Sequence, residues 1–255
     1  MIDLKDVTFI IPVKLDSDDR RRNMKITLGY LQRNFDTNII VCESDKESNE
    51  EFIQSCALKP IMYMFDEDPS GIFHRTRILN EMTEAAPTNI VVNYDIDVVF
   101  TPQQYVAARD AINQGLDLVF PYAGPFFDIK EDSFNLVDSD KVADIPVHQY
   151  QLIHPNSVGG AFFFNRERYR KAGLENENFK SWGFEDNERI VRLQKLNYKL
   201  GRINGNCYHL THNRDQNGWF SNPYIKENEA ELEKIKQLGP EDLKNYIKTW
   251  NHLTT

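Results

Sequence analysis

Cysteine is scarce in this chain: Cys42, Cys56 and Cys207 are scattered over 255 residues. An odd, dispersed set offers no disulfide framework and no paired metal spacing, which points to a reducing compartment. Each of the three reads as a small buried hydrophobe. No apolar run approaches the ~20 residues of a membrane-spanning helix. The start, Met1-Ile2-Asp3-Leu4-Lys5-Asp6, is charged and lacks the pattern of a secretory leader. Basic residues are in the minority: 30 Lys and Arg face 39 Asp and Glu, a formal charge of −9. That excludes the basic footprint of a nucleic-acid binder and a general attraction to anionic lipid. A local basic pocket for a phosphate ligand remains compatible with it. Internal repeats, low-complexity tracts and an interdomain linker are also missing. These absences together predict a cytoplasmic chain without an integral membrane segment, peripheral at the inner membrane face at most.

What is present is enough to fill a core, with 40% hydrophobic and 27% charged residues. The continuous apolar run Val7 to Val13 reads as a strand buried on both faces. Helix periodicity over 20–33 follows, then a strand at 38–42 ending in Glu43. A short helix at 48–57, a strand at 60–65, a helix at 73–84 and a strand at 90–94 continue the alternation. This βαβαβαβ order predicts a mainly parallel sheet with helices on both faces. Further along, a helix is expected at 102–114 and a strand at 117–122. Residues 123–155 show no period and read as a long loop. A strand at 161–164, helices at 166–172 and 187–196, and a last core strand at 203–211 come next. Two tail helices are expected at 229–237 and 240–250.

In such sheets ligands bind beyond the carboxyl ends of the strands. Pro12, Glu43, Asp95 and Asp97 all fall there. Asp95 and Asp97 stand one residue apart, on the same face if the segment stays extended. Their mutual repulsion would be offset by a divalent cation of the oxygen-loving kind, manganese or magnesium. Asp is also common in plain strand-end turns, so the pair needs further ligands. His209 and His212 could supply two imidazoles to one ion, or be one packed and one exposed ring. Trp182-Gly183-Phe184-Glu185-Asp186 suits a sugar: an aromatic face to stack on, carboxylates for hydroxyls, and one acid as general base. The same acids could simply cap the following helix. Arg75, near a helix start, could pair with a diphosphate. Gly159-Gly160 could be a turn or a close backbone approach to ligand.

Taken in order, Ile11-Pro12-Val13-Lys14, Phe73-His74-Arg75-Thr76-Arg77-Ile78-Leu79-Asn80, Asp95-Ile96-Asp97, Val158-Gly159-Gly160, Trp182-Gly183-Phe184-Glu185-Asp186 and His212-Asn213-Arg214-Asp215 resemble the β1,4-galactosyltransferase family of GT-A glycosyltransferases. The resemblance covers about residues 8 to 216. It implies a GT-A, Rossmann-like α/β fold with a mixed, mainly parallel central sheet. Together with the helical tail read from the residues after about 220, which the resemblance does not cover, it gives one expected domain over 1–255: a nucleotide-binding half at 1–100, an acceptor and metal half at 101–220, and a helical tail at 221–255. It implies a UDP-sugar donor, a glycan or glycolipid acceptor, manganese (magnesium as the alternative) and inversion at the anomeric carbon. Pro12, Val13, Lys14, Phe73, Arg75, Asp95 and Gly160 would line the donor site, with Glu43 added from its strand end. Asp97, His209 and His212 would hold the metal; His209 stands where many members have methionine. Asp186 would be the catalytic base. Glu185, Trp182, Gly183 and Gly159 would meet the sugars. Ser157 stands where galactosyltransferases carry a bulky aromatic, leaving room for an N-acetyl group, so Gal and GalNAc are the expected sugars. The chain would be a soluble microbial relative engaged in polysaccharide biosynthesis.

Two rivals lie outside this reading. A nucleotidyltransferase acting on a sugar phosphate would want a Gly-rich basic loop after the first strand, where Asp16-Ser17-Asp18-Asp19 stands. A catalytically inactive nucleotide- or glycan-binding module would bind metal and UDP without turnover.

Overall fold

A computed structural model describes residues 1–213 and 222–254. Arg214 and Asp215 of the last motif lie outside the described residues. The alternation read from the sequence is present as β1 (Ile2–Val13), α1 (Asp18–Asn34), β2 (Phe35–Asp45), α2 (Glu50–Cys56), β3 (Met62–Glu67), α3 (Arg75–Ala85) and β4 (Ile90–Tyr94). Then come β5 (Val98–Val99), α4 (Pro102–Asn113), β6 (Leu118–Phe120), β7 (Phe126–Ile129), α5 (Phe134–Asp138) and β8 (Tyr150–His154). β9 (Ala161–Asn165), α6 (Arg166–Lys171), α7 (Glu185–Lys195), β10 (Leu200–Arg202) and β11 (Cys207–Leu210) follow. The tail holds α8 (Ile225–Gln237), α9 (Pro240–Ile247) and α10 (Asn251–Thr254).

Seven strands form the main sheet in the order β10-β6-β9-β4-β1-β2-β3. All neighbours pair parallel except β9, which runs antiparallel to β4 and β6. The sheet is therefore mixed and mainly parallel. Val7 to Val13 and all of β4 are buried, as continuous apolar runs in a parallel sheet should be. Strand order steps outward from β1 to β2 and β3, then returns across β1 to β4. With right-handed crossovers, that reversal puts α3 on the face opposite α1. It also opens a crevice between the carboxyl ends of β1 and β4, the usual ligand position. An aromatic cluster of Phe9, Tyr94, Tyr105 and Phe163 packs at the sheet centre, with ring centroids 5.5–6.5 Å apart.

Two expectations change. Residues 123–155 are not a plain loop: β7 and β8 join β5 and β11 in a second, four-stranded sheet of order β5-β11-β7-β8. Such short strands carry too few alternations to be legible as a period. The last core strand expected at 203–211 is instead the shorter β11, outside the main sheet. β10 edges the main sheet beside β6, while β11 sits in the small sheet. The tail packs on the body: Ile235, Leu243, Ile247 and Trp250 form a buried cluster against Val191 and Leu196 of the α7 region. Among the described residues no helix is long and apolar enough to cross a membrane.

Candidate active site

The crevice is a cleft of about 410 Å³ lined by Pro12, Val13 and Lys14 at the end of β1, by Asp95 and Asp97 after β4, and by residues from three later segments. Those segments supply Ser157 to Gly160, Ser181 to Asn187, and His209 with His212. Phe73 and Arg75 also line the cleft.

Asp95 and Asp97 do not stay extended. β4 ends at Tyr94, and Val98 N–H reaches back to the Asp95 carbonyl at 3.5 Å, so the motif is a turn. The two carboxylates part company. Asp95 Oδ1 accepts from Arg75 Nη2 at 2.6 Å. Asp97 Oδ2 lies 3.0 Å from His212 Nε2 and 3.7 Å from His209 Nε2. One ligand atom from each of Asp97, His209 and His212 lies within 4.8 Å of the others. The small sheet makes this possible. Its β5–β11 ladder pairs Val98 with His209, and Leu210 N–H donates to the Asp97 carbonyl at 2.7 Å. Helix α1 steadies the same loops: buried Thr27 donates to the Ile96 carbonyl at 2.6 Å and buried Asn23 to the Leu210 carbonyl at 2.9 Å.

The donor chemistry fits a divalent cation. His209 Nδ1 is 2.7 Å from Asp128 Oδ1, and His212 Nδ1 is 2.7 Å from the Asn213 carbonyl. With both Nδ1 atoms engaged as donors, both Nε2 atoms face the Asp97 carboxylate, and deprotonated they would offer their lone pairs to a cation held there. Burial opposes charge on His209, but Asp97 and Asp128 outweigh it and push the imidazole up to about 9. Burial likewise opposes charge on Asp97, yet the two imidazoles hold it well below the usual carboxylate range. Asp128 was missed in the sequence. Its only signal is a carboxylate in the apolar run Phe126-Phe127-Asp128-Ile129, in register with His209.

Arg75 Nη1 and Ser181 Oγ are buried and have no hydrogen-bond partner among the described residues, and both residues line the cleft. Orphaned buried donors there suit a ligand rich in oxygen acceptors. Burial raises Asp95, against the pull of Arg75.

Asp186 opens α7. Its Oδ1 accepts from Arg189 Nη1 at 2.7 Å, and Arg189, fully buried, also grips Glu175 at 2.9 and 3.0 Å. The other oxygen lies over Gly159, where a Cβ would approach it to 2.5 Å. Glycine there is thus the space the carboxylate occupies. Gly160 adopts φ +80 and its carbonyl accepts from Asp95 N–H at 2.9 Å, tying the turn to the Asp95–Asp97 motif. Glu185 accepts from Gly183 N–H at 2.8 Å. Burial and the neighbouring Asp186 push Glu185 up to about 7, against Arg75.

Of the expected set, Glu43 alone does not line the cleft. Fully buried, it accepts from Asn49 N–H, Asn49 Nδ2 and Tyr63 O–H at 2.6–2.8 Å and holds β2, α2 and β3 together. The strand-end position was right, but its lone pairs are used internally. Arg20, Phe126, Ile153, His154 and Asn156 line the cleft and were not singled out. Most of these sit in the unperiodic stretch, and Arg20 reads as an ordinary helix-start cation.

Residues 142–214 match the family model described as the N-terminal domain of galactosyltransferase. A search of curated proteins found no match. Among solved structures, the glucosyl-3-phosphoglycerate synthase of Mycobacterium tuberculosis, in complex with Mn2+, UDP and phosphoglyceric acid, is 12% identical. It covers 83% of this chain and 72% of its own, with TM-score 0.53. The same synthase with Mg2+ and UDP gives 12% identity, 83% and 73% coverage, and TM-score 0.51. The catalytic domain of Drosophila β1,4-galactosyltransferase 7, in complex with xylobiose, is 15% identical over 77% of this chain, with TM-score 0.47. This chain spans 63% of that Drosophila chain. The chain has the fold of the GT-A glycosyltransferases and, over residues 142–214, the sequence pattern of the galactosyltransferase family.

Proposed function

We propose that this chain is a metal-dependent, inverting glycosyltransferase that moves a hexose or N-acetylhexosamine, Gal or GalNAc foremost, from UDP to a glycan hydroxyl. The observation that carries the reading is the convergence of Asp97, His209 and His212 in the same cleft as Asp186. A binding module needs no carboxylate clamped beside its cation site. A UDP-sugar donor suits the cleft because Pro12 and Val13 offer an apolar wall, while Arg75 and Lys14 offer positive charge. Solved proteins of this fold, such as the mycobacterial synthase, hold UDP with Mn2+ or Mg2+.

Asp97, His209 and His212 would hold manganese or magnesium, which when bound supplies charge neutralisation on the leaving diphosphate. Arg75 offers Nη1, which has no partner among the described residues, to the same phosphates. Asp186 takes the proton of the acceptor hydroxyl as that oxygen attacks the anomeric carbon. Arg189 fixes the Asp186 carboxylate so that one oxygen faces the acceptor. One base and a single displacement invert the configuration. Glu185, part protonated near neutrality, can both donate to and accept from sugar hydroxyls. Trp182 offers a ring for the sugar's CH face. Ser157, small and beside the donor glycines, leaves room for a 2-N-acetyl group.

The test is mass spectrometry of products from a panel of UDP-sugars and glycan acceptors with manganese. Asp186→Asn is expected to lose about 10²–10⁴-fold in turnover, the range of general base catalysis, while manganese–UDP still binds. Near-native turnover by that variant would remove Asp186 from the mechanism.

A further inference from the structure

The segment that carries Trp182 is held in an unusual conformation. Ser181, Gly183 and Phe184 have φ of +58, +116 and +71, three left-handed residues around the tryptophan. Left-handed backbone is strained for Ser and Phe, so neighbouring contacts must hold it. Many of those contacts come from the helical tail. Asn228, on α8 and fully buried, donates from Nδ2 to the Lys180 carbonyl at 2.9 Å and to the Trp182 carbonyl at 3.4 Å. Its Oδ1 accepts from Lys180 N–H at 3.1 Å. The side-chain amide thus pairs with the Lys180 backbone in both directions, as a strand neighbour would. Asn222, just ahead of α8, donates to the Trp182 carbonyl at 2.7 Å. Ile225 presses on Gly183 so closely that a Cβ there would lie 2.7 Å from its Cδ1.

We propose that the tail is part of the sugar-transfer site, and that Asn228 is a positioning residue that holds Trp182 and Gly183 in the cleft. This rests on the glycosyltransferase reading for its kinetic consequence, but not for the clamp itself. The donor nucleotide and metal would be gripped by residues of β1, α3, the turn after β4 and the segment around β11, and among the described residues the hydrogen bonds of Asn228 go instead to Lys180 and Trp182. The wall opposite, which runs from Ser181 to Asp186, depends on it. Truncating Asn228 leaves the Lys180 N–H and carbonyl without their partner and frees the strained segment to relax away from the substrate.

The experiment compares Asn228→Ala and Asn228→Asp with the native chain. Hydrogen exchange by mass spectrometry reads peptides over 178–186 and over β1 and β4. Titration with manganese and UDP reads the donor side, and steady-state kinetics read transfer. Asn228→Ala is expected to speed exchange at 180–184 alone, keep manganese–UDP affinity within about twofold, and lower kcat by about 10- to 100-fold, the cost of a misplaced wall. Asn228→Asp keeps the acceptor but not the donor and should fall between. Native exchange and native kinetics in Asn228→Ala would overturn the proposal. So would exchange that quickens throughout the sheet together with lost UDP affinity, which marks a merely structural asparagine. If no UDP-sugar is turned over even by the native chain, the glycosyltransferase reading fails, while the exchange and UDP titrations still decide whether the clamp exists.

Discussion

Arg189→Met tests whether the buried charge network behind Asp186 is as consequential as its geometry demands. Arg189 has no exposed surface and spans two carboxylates: Glu175 through two hydrogen bonds and Asp186 through one, with Tyr169 O–H at 3.1 Å. Glu175 is itself 3% exposed. Removing the guanidinium would strand that carboxylate in the core, and breaking one side of a buried pair costs about 3–5 kcal/mol. Burial opposes charge on Glu175, yet Arg189 holds its carboxyl below the ordinary 4.5. A depressed carboxylate contributes stability that is present above its unfolded value and lost as pH falls through the folded one. In Arg189→Met the sign reverses: an unpaired buried Glu175 is raised, so the variant gains stability on acidification. Urea unfolding at pH 7.5 and pH 5 reads both effects. The double variant Glu175→Gln with Arg189→Met should recover part of the loss, since no stranded charge remains. A loss under ~1 kcal/mol for Arg189→Met, or a double variant no better than the single, would refute this account.

Glu185→Gln addresses the other perturbed carboxyl. A group raised from 4.5 to about 7 stabilises the fold only while protonated, so its contribution is full below pH 4.5 and fades as pH rises to about 7. The variant should therefore lose less stability than the native chain between pH 4.5 and pH 8, by about 1–3 kcal/mol; parallel urea midpoints at both pH values would contradict it. Gly159→Ala places a methyl where the Asp186 carboxylate lies, within 2.5 Å of Oδ2. Its expected signature is a kcat drop of about 10²-fold with manganese–UDP binding intact, and unchanged kcat would show that Asp186 acts from elsewhere.

Several features were legible along the chain because they are local. The apolar runs of β1 and β4, buried on both faces, announce a parallel sheet by composition alone. The reading of Pro12, Asp95 and Asp97 as strand-end residues needed only the alternation of strand and helix. The acids of Asp186 and Glu185 before α7, and the glycines at 159 and 160, stood out by type and spacing. The motifs in order carried the resemblance, with which the GT-A fold and the family-model match over 142–214 agree. Other features were hidden because they depend on pairing between distant segments. The small sheet rests on strands of two to five residues, too short to show a period, yet it sets Val98 beside His209 and Asp128 behind it. Glu43 looked like its strand-end fellows, and only the neighbours Asn49 and Tyr63 reveal that its oxygens are already taken.

The amino-acid order by itself determined the α/β class and which carboxylates and imidazoles stand at strand ends, because burial period and residue type are written locally. The tertiary structure decided that Asp95 turns to Arg75 while Asp97 turns to the histidines, and that the tail reaches Trp182. Those outcomes depend on which side chain first satisfies a buried charge or an unpaired amide, and that is settled only when remote segments meet.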